Sequence, residues 1–188
     1  MNESFRGFIA IDIPDEFRAI IKQAQNSLRD LPGQIKWVNP KSVHLTLKFL
    51  GQTSKDLIKP IGDAMVNLIK EIEPFDLRLE GIGVFPNMKF PRVIWIGLVG
   101  DIDKLANLQN KVETSVEKFG FPPEARKFAA HLTLGRVKSG RGSEQWLRLI
   151  EKTVIENSPS FRVSSFYLFE SVLKPSGAEY KKLASFSF

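Results

Sequence analysis

The apolar positions of this chain fall into two rhythms, and the pair of rhythms runs through the same order twice. GFIAIDIP, from Gly7, is a short β-branched run closed by proline, the pattern of a buried strand. Behind the start signal Pro14-Asp15, residues Phe17, Ile20, Ala24, Leu28 and Leu31 recur at helical spacing and predict a helix over 15–31. HLTL at 44–47 alternates as a strand does, and Leu57, Ile58, Ile61, Met65, Leu68, Ile69 and Ile72 predict a second helix over 54–73 behind Ser54. FDLRLEGIGVF, from Phe75, alternates again. The order then restarts with RVIWIGLVG, from Arg92, and a helix behind Asp101 carrying Leu105, Leu108, Val112, Val116 and Phe119. HLTL returns at 131–134, a shorter helix comes after Ser143 with Trp146, Leu147, Ile150 and Val154, and FRVSSFYLFES begins at Phe161. Each half reads β-α-β-α-β. A closing hairpin, SVLKPSGAEYKKLASFSF, turns at Pro175-Ser176-Gly177.

Equivalent segments of the two halves lie about 86 residues apart at three separate places, which makes the chain a duplication. The expected fold is α+β. The strands of each half form a sheet with helices packed on it, and two such lobes, related by a pseudo-twofold, place two mainly antiparallel sheets around a central cleft with the helices outside. Residues 1–188 are expected to form a single two-lobed domain, with approximate repeats 5–86 and 91–172 and a C-terminal hairpin 166–188. The stretch PNMKFPR, 86–92, is the expected hinge between the lobes.

Composition narrows the chemistry. The absence of cysteine removes disulfides, a thiol nucleophile and thiolate metal sites, and it fits a reducing, cytoplasmic setting. No apolar stretch approaches the length of a membrane span, and the N-terminus lacks a signal-peptide layout, so no membrane partner is expected. A net charge of +6 suits an anionic partner such as nucleic acid, or simply a soluble surface.

The chain holds only two histidines, and both stand at the head of HLTL. Successive side chains of a strand point to opposite faces, so His shares one face with Thr while the two Leu share the other. The Leu face packs beneath helices and leaves His44, Thr46, His131 and Thr133 to converge if the lobes face one another. Two imidazoles can serve as base and acid in one turnover, and two hydroxyls can hydrogen-bond the non-bridging oxygens of a phosphate between them. That division of labour suits phosphodiester displacement without a metal or other cofactor. Two histidines without a carboxylate or cysteine beside them make a poor metal ligand set.

With both motifs in place, the sequence resembles the two-histidine (2H) phosphoesterases, and within them the RNA 2′,3′-cyclic phosphodiesterase family, also called 2′-5′ RNA ligases (LigT/ThpR). The resemblance runs nearly end to end, through RGFIAIDIP, KWVNPKSVHLTLKFLG, LEGIGVFPNMKFPRVIWIGL, FAAHLTLGRVK and LFESVLKPSGAEYKKL. Ala130 stands where many members carry proline before the second histidine, at a position that does no chemistry. The resemblance implies metal-independent opening of a 2′,3′-cyclic phosphate, on RNA or on a cyclic nucleotide, to a 2′-phosphate. It also implies that His44 and His131 are the acid–base pair and that Thr46 and Thr133 hold the phosphate. His44 is preferred as the acid that protonates the leaving 3′ oxygen and His131 as the base, although two such similar copies leave the assignment open. The same site would serve a ligase joining RNA halves through a 2′-5′ linkage. A binder of RNA ends without catalysis is a further alternative.

Two more residues are candidates for nucleotide binding. The resemblance implies an arginine near the substrate at Arg136. Strict alternation would turn Arg136 away from His131, and a bulge at Gly135 would re-aim it. Phe8 on the first strand offers a stacking face for a terminal base, or is one more core phenylalanine. Lys48, Arg126, Lys127, Lys138 and Arg141 flank the motifs and either line an electrostatic path for RNA or belong to an ordinary solvated surface. A self-contained cleft needs no second copy, so a monomer is expected.

Overall fold

The structure, a computed structural model, describes residues 3–155, 158–174 and 177–188. In chain order its elements are β1 (Ser4–Asp12), α1 (Phe17–Ser27), β2 (Gln34–Trp37), β3 (His44–Ser54), α2 (Ile58–Leu68), β4 (Phe75–Phe85), β5 (Val93–Gly100), α3 (Ile102–Glu117), β6 (His131–Ser139), α4 (Glu144–Lys152), β7 (Phe161–Val163), β8 (Ser165–Lys174) and β9 (Gly177–Ser187). The closing hairpin is therefore present as β8 and β9, which pair antiparallel. Pro175 and Ser176, expected at its turn, lie outside the described residues.

Two antiparallel sheets form. The first has the order β3-β1-β8-β9 and the second β2-β6-β5-β4-β7. The duplicated order is visible here, because β3-β1-β8 and β6-β5-β4 are equivalent rows of the two halves. Their composition corrects one expectation. The strands of a half do not form their own sheet: β4 of the first half pairs with β5, and β8 of the second pairs with β1. The last strand of each repeat has crossed to the other repeat's sheet. Helix packing crosses too, since α1 lies against β6 and α3 against β3.

The segment 86–92 is likewise not a hinge. It is the loop of the β4–β5 hairpin within one sheet, closed by Arg92 N–H donating to Phe85 O (2.6 Å) and by Asn87 Oδ1 accepting from the amides of Lys89 and Phe90.

The helices keep the expected periodicity with shorter limits. Beyond Ser27, α1 gives way to tight turns that keep Leu28 and Leu31 buried, and Gln34–Trp37 then forms a strand on the edge of β6 that periodicity did not reveal. Ser143 caps α4 by accepting from Trp146 N–H, and Ser54 caps the turn ahead of α2 in the same way at Asp56. Asp101 precedes α3 without capping it. Its carboxylate accepts instead from Asp76 N–H at 3.1 Å, tying α3 to β4. Leu147 and Val154, counted on the apolar face of the fourth helix, are exposed, and the buried anchors there are Trp146 and Ile150.

One continuous apolar core joins the inner faces of both sheets and all four helices. A second, small cluster of Phe8, Ala10 and Phe169 lies on the first sheet, flanked by Tyr167 and Tyr180. It forms the floor beneath His44.

Candidate active site

Both motif strands obey the same local rule. Along β3, His44 and Thr46 are half-buried while Leu45 and Leu47 are buried; along β6, His131 and Thr133 are half-buried while Leu132 and Leu134 are buried. The leucines anchor each strand in the core and leave the polar pair on the opposite face. β3 and β6 lie in contact where the two sheets meet, and His131 and Arg136 both act electrostatically on His44. The two motifs are therefore brought close together by the abutting strands.

Each imidazole is oriented by its own chain. His44 Nδ1 lies 3.0 Å from Ser42 O, and His131 Nδ1 lies 2.7 Å from Ala129 O. A carbonyl oxygen only accepts, so Nδ1 carries the hydrogen in both rings and Nε2 is the atom left to exchange protons. The rings are also packed. His44 lies 4.6 Å from the ring of Phe8 and meets Tyr180 edge-on at 4.9 Å; His131 meets Phe85 edge-on at 5.0 Å, with Trp95 at 6.5 Å. Burial pulls the His44 pKa down from 6.5 to about 4, assisted by the charges of Arg136 and His131 and opposed by Ser42 O and Asp12. Among the described residues, neither Thr46 nor Thr133 spends its hydroxyl on a protein partner. Two half-buried hydroxyls are thus left to a ligand.

Bulges set the side-chain directions beyond each motif. In β3 the pairing to β1 skips Leu47, so that Leu47 and Lys48 both turn inward and Phe49 comes out, 57% exposed and 6.3 Å from Phe8. In β6 the pairing to β5 skips Leu134, so that Leu134 and Gly135 turn inward and Arg136 comes out. A Cβ on Gly135 would stand 2.9 Å from Trp37 Cε3 and 3.0 Å from Ile35 Cγ2, so glycine fits where β2 closes over the strand. Arg136 is exposed, and its charge reaches both His44 and Tyr180.

Two sequence candidates take other places. Phe8 is only 3% exposed and its faces are spent on His44, Phe169 (stacked, 5.1 Å) and Tyr180, so it supports the imidazole and presents no open stacking face. Lys48 leaves the cleft altogether. Its ammonium is buried against Glu113 Oε2 (2.7 Å) on α3 and Pro122 O (2.6 Å), while Glu113 also accepts from Gln109 Nε2 and Glu124 N–H. Arg126, Lys127, Lys138 and Arg141 are exposed. Tyr180, Phe85, Trp95 and Phe169 reach the histidines from other strands, with no mark in the sequence beyond being aromatic. Among the described residues no three His, Cys, Asp or Glu gather into a metal ligand set.

A duplicated α+β frame with a His-x-Thr pair on each of two abutting strands, both imidazoles fixed through Nδ1, defines a two-histidine phosphoesterase. Comparison with known proteins agrees and narrows it. Residues 11–95 and 96–180 each match the family described as LigT like Phosphoesterase, so the match repeats as the sequence does. An RNA 2′,3′-cyclic phosphodiesterase of Methanothermobacter thermautotrophicus is 34% identical over 96% of this chain and 97% of its own length, and one of Thermotoga maritima is 33% identical over 97% and 95%. Among solved structures, a protein of Thermus thermophilus superposes with a TM-score of 0.79 at 31% identity, covering 97% of each chain. Escherichia coli LigT complexed with 3′-AMP gives 0.77 at 25% identity, covering 99% of each. The chain belongs to the LigT-like phosphoesterase family.

Proposed function

We propose that this protein opens terminal 2′,3′-cyclic phosphates of RNA to 2′-phosphates. The observation that carries the reading is the pair of equivalent imidazoles on abutting strands, each with Nε2 free and a threonine hydroxyl two residues on. The names of the relatives support the substrate class. In the proposed reaction His131 Nε2 takes a proton from water as the water oxygen bonds to phosphorus. The P–O3′ bond breaks on the opposite side, and His44 Nε2 delivers its proton to the departing 3′ oxygen. Thr46 and Thr133 donate to the non-bridging oxygens, and the Arg136 guanidinium balances the charge gathering there. A free His44 held at about 4 is mostly neutral near pH 7, so its proton is loaded as the anionic phosphate enters and offsets the cost of burying the charge. The exposed face of Phe49 is open to a base.

Adenosine 2′,3′-cyclic phosphate, in buffer containing EDTA and followed by phosphorus NMR, tests this. Wild type should yield the 2′-phosphate, and His44→Ala and His131→Ala should each lose on the order of 10²–10⁴-fold in rate. A 3′-phosphate product, full activity in either variant, or abolition by EDTA would refute the mechanism.

A further inference from the structure

Some of the chain's cations are matched by carboxylates, and five that are not lie on or beside one edge of the second sheet. On the first sheet Lys182, Lys174 and Lys55 are matched by Asp12, Glu179 and Glu3. At the far edge of the second sheet Arg78 and Arg162 are matched by Glu80 and Asp76. Along the β2–β6 edge the cations have no such partner, as is also true of Arg6 and Lys181 on the first sheet. Lys36 stands opposite Arg136 in the strand register and so shares its face, and Lys138 comes next on that face, with buried Val137 between them pointing into the core. Just beyond β6, Gly142 N–H donates to Lys89 O at 3.2 Å and fastens the turn after the strand to the β4–β5 loop. This sets Arg141 and Lys89 against the ring of Phe90, at 5.9 and 5.6 Å, and Phe90 itself is 45% exposed. Among the described residues none of these five cations has a carboxylate within 4.0 Å.

We propose that this edge is a track for the single-stranded body of the RNA whose end enters the cleft; the proposal rests on the phosphodiesterase reading for its substrate. The track starts at Arg136 beside the histidines, continues over Lys36 and Lys138, and ends where Phe90 offers a base a stacking face between Lys89 and Arg141. At about 3.4 Å per strand residue it runs roughly 20 Å from His131, room for several nucleotides. Three cations on one strand face beside the site, followed by two more around an exposed aromatic, are what a phosphate backbone with an unstacked base requires. A mononucleotide fills only the cleft and cannot touch Lys89, Phe90 or Lys138. Oligonucleotides ending in a cyclic phosphate should therefore be favoured through KM.

The test uses the full chain and the combined variant Lys36→Glu, Lys89→Glu, Lys138→Glu, none of which belongs to the catalytic group. For a single-stranded oligoribonucleotide ending in a 2′,3′-cyclic phosphate, KM in about 50 mM salt should rise at least ~10-fold, and the slope of log KM against log salt should flatten by about 2. For adenosine 2′,3′-cyclic phosphate, kcat/KM should stay within about twofold, because the cleft is untouched. An unchanged oligonucleotide KM, or equal losses on both substrates, overturns the track. A binding arm keeps the two readings apart: fluorescence anisotropy with the same oligonucleotide ending in a 2′-phosphate needs no turnover. If wild type hydrolyses neither substrate, the phosphodiesterase reading falls. Weaker oligonucleotide binding by the combined variant still upholds the track in that case, and equal binding overturns it. Polyglutamate bound as tightly as RNA, with the same loss in the variant, would mark a general anion surface and also overturn it.

Discussion

His44 carries an energetic cost set by the aromatic side chains around it. It lies between Phe8 and Tyr180, where burial disfavours its cation and draws its pKa down to about 4. The unfolded chain binds a proton there near 6.5, so between 6.5 and 4 the unfolded state holds more protons than the folded one. Stability from this residue is complete above pH 6.5 and is lost as pH falls. Urea unfolding at pH 7, 5.5 and 4 should show the decline, and the decline should be smaller in His44→Gln. The same value should appear in catalysis: the pH profile of kcat/KM should contain an ionisation near pH 4, and the corresponding one in kcat should lie higher because bound phosphate favours the imidazolium. A second residue-scale prediction concerns Lys48 and Glu113, whose side chains are 3% and 9% exposed. Lys48→Met alone strands a buried carboxylate and should cost about 3–5 kcal/mol by denaturant unfolding; the double change Lys48→Met, Glu113→Leu should recover much of that.

The same pair shows how much one element can conceal. Read by alternation, Lys48 belongs beside His44 and Thr46, and Arg136 belongs away from His131. Bulges in β3 and β6 invert both assignments, turning Lys48 into the core and Arg136 into the cleft. The glycine at 135 hinted at the second inversion, whereas nothing in TLKFLG hinted at the first. Helices were easier to read, since their period survives in the buried positions of α1, α2 and α3. The edge strand β2 was not, because four residues carry too little pattern. Gly135→Val should measure what the β6 bulge requires. Its added atoms meet Trp37 and Ile35, so the variant should lose about 1–3 kcal/mol of stability and, by displacing Arg136, more kcat/KM than Gly135→Ala.

At the scale of the molecule, the exchange of β4 and β8 between the repeats makes each sheet a joint product of both halves. A first-half fragment ending at Lys89 leaves β4 without β5, and a second-half fragment beginning at Phe90 leaves β8 without β1. Neither should give a cooperative thermal transition alone, while mixing the two should restore helix and strand signal together with activity. Two separately folding halves would contradict the exchange. The sequence by itself determined the duplication, the α+β order and the face of each HLTL strand, because these depend on periods of two and 3.6 and on copies within one chain. It also singled out the histidines, because the chain has no others. Only the tertiary structure decided which strands share a sheet, that Lys48 is buried and Arg136 is not, that Phe8 is a floor, and that Lys36 stands opposite Arg136 on one strand face. Each of those depends on a neighbour distant in the chain or on a one-residue slip in pairing, and neither leaves a period in the sequence to be read.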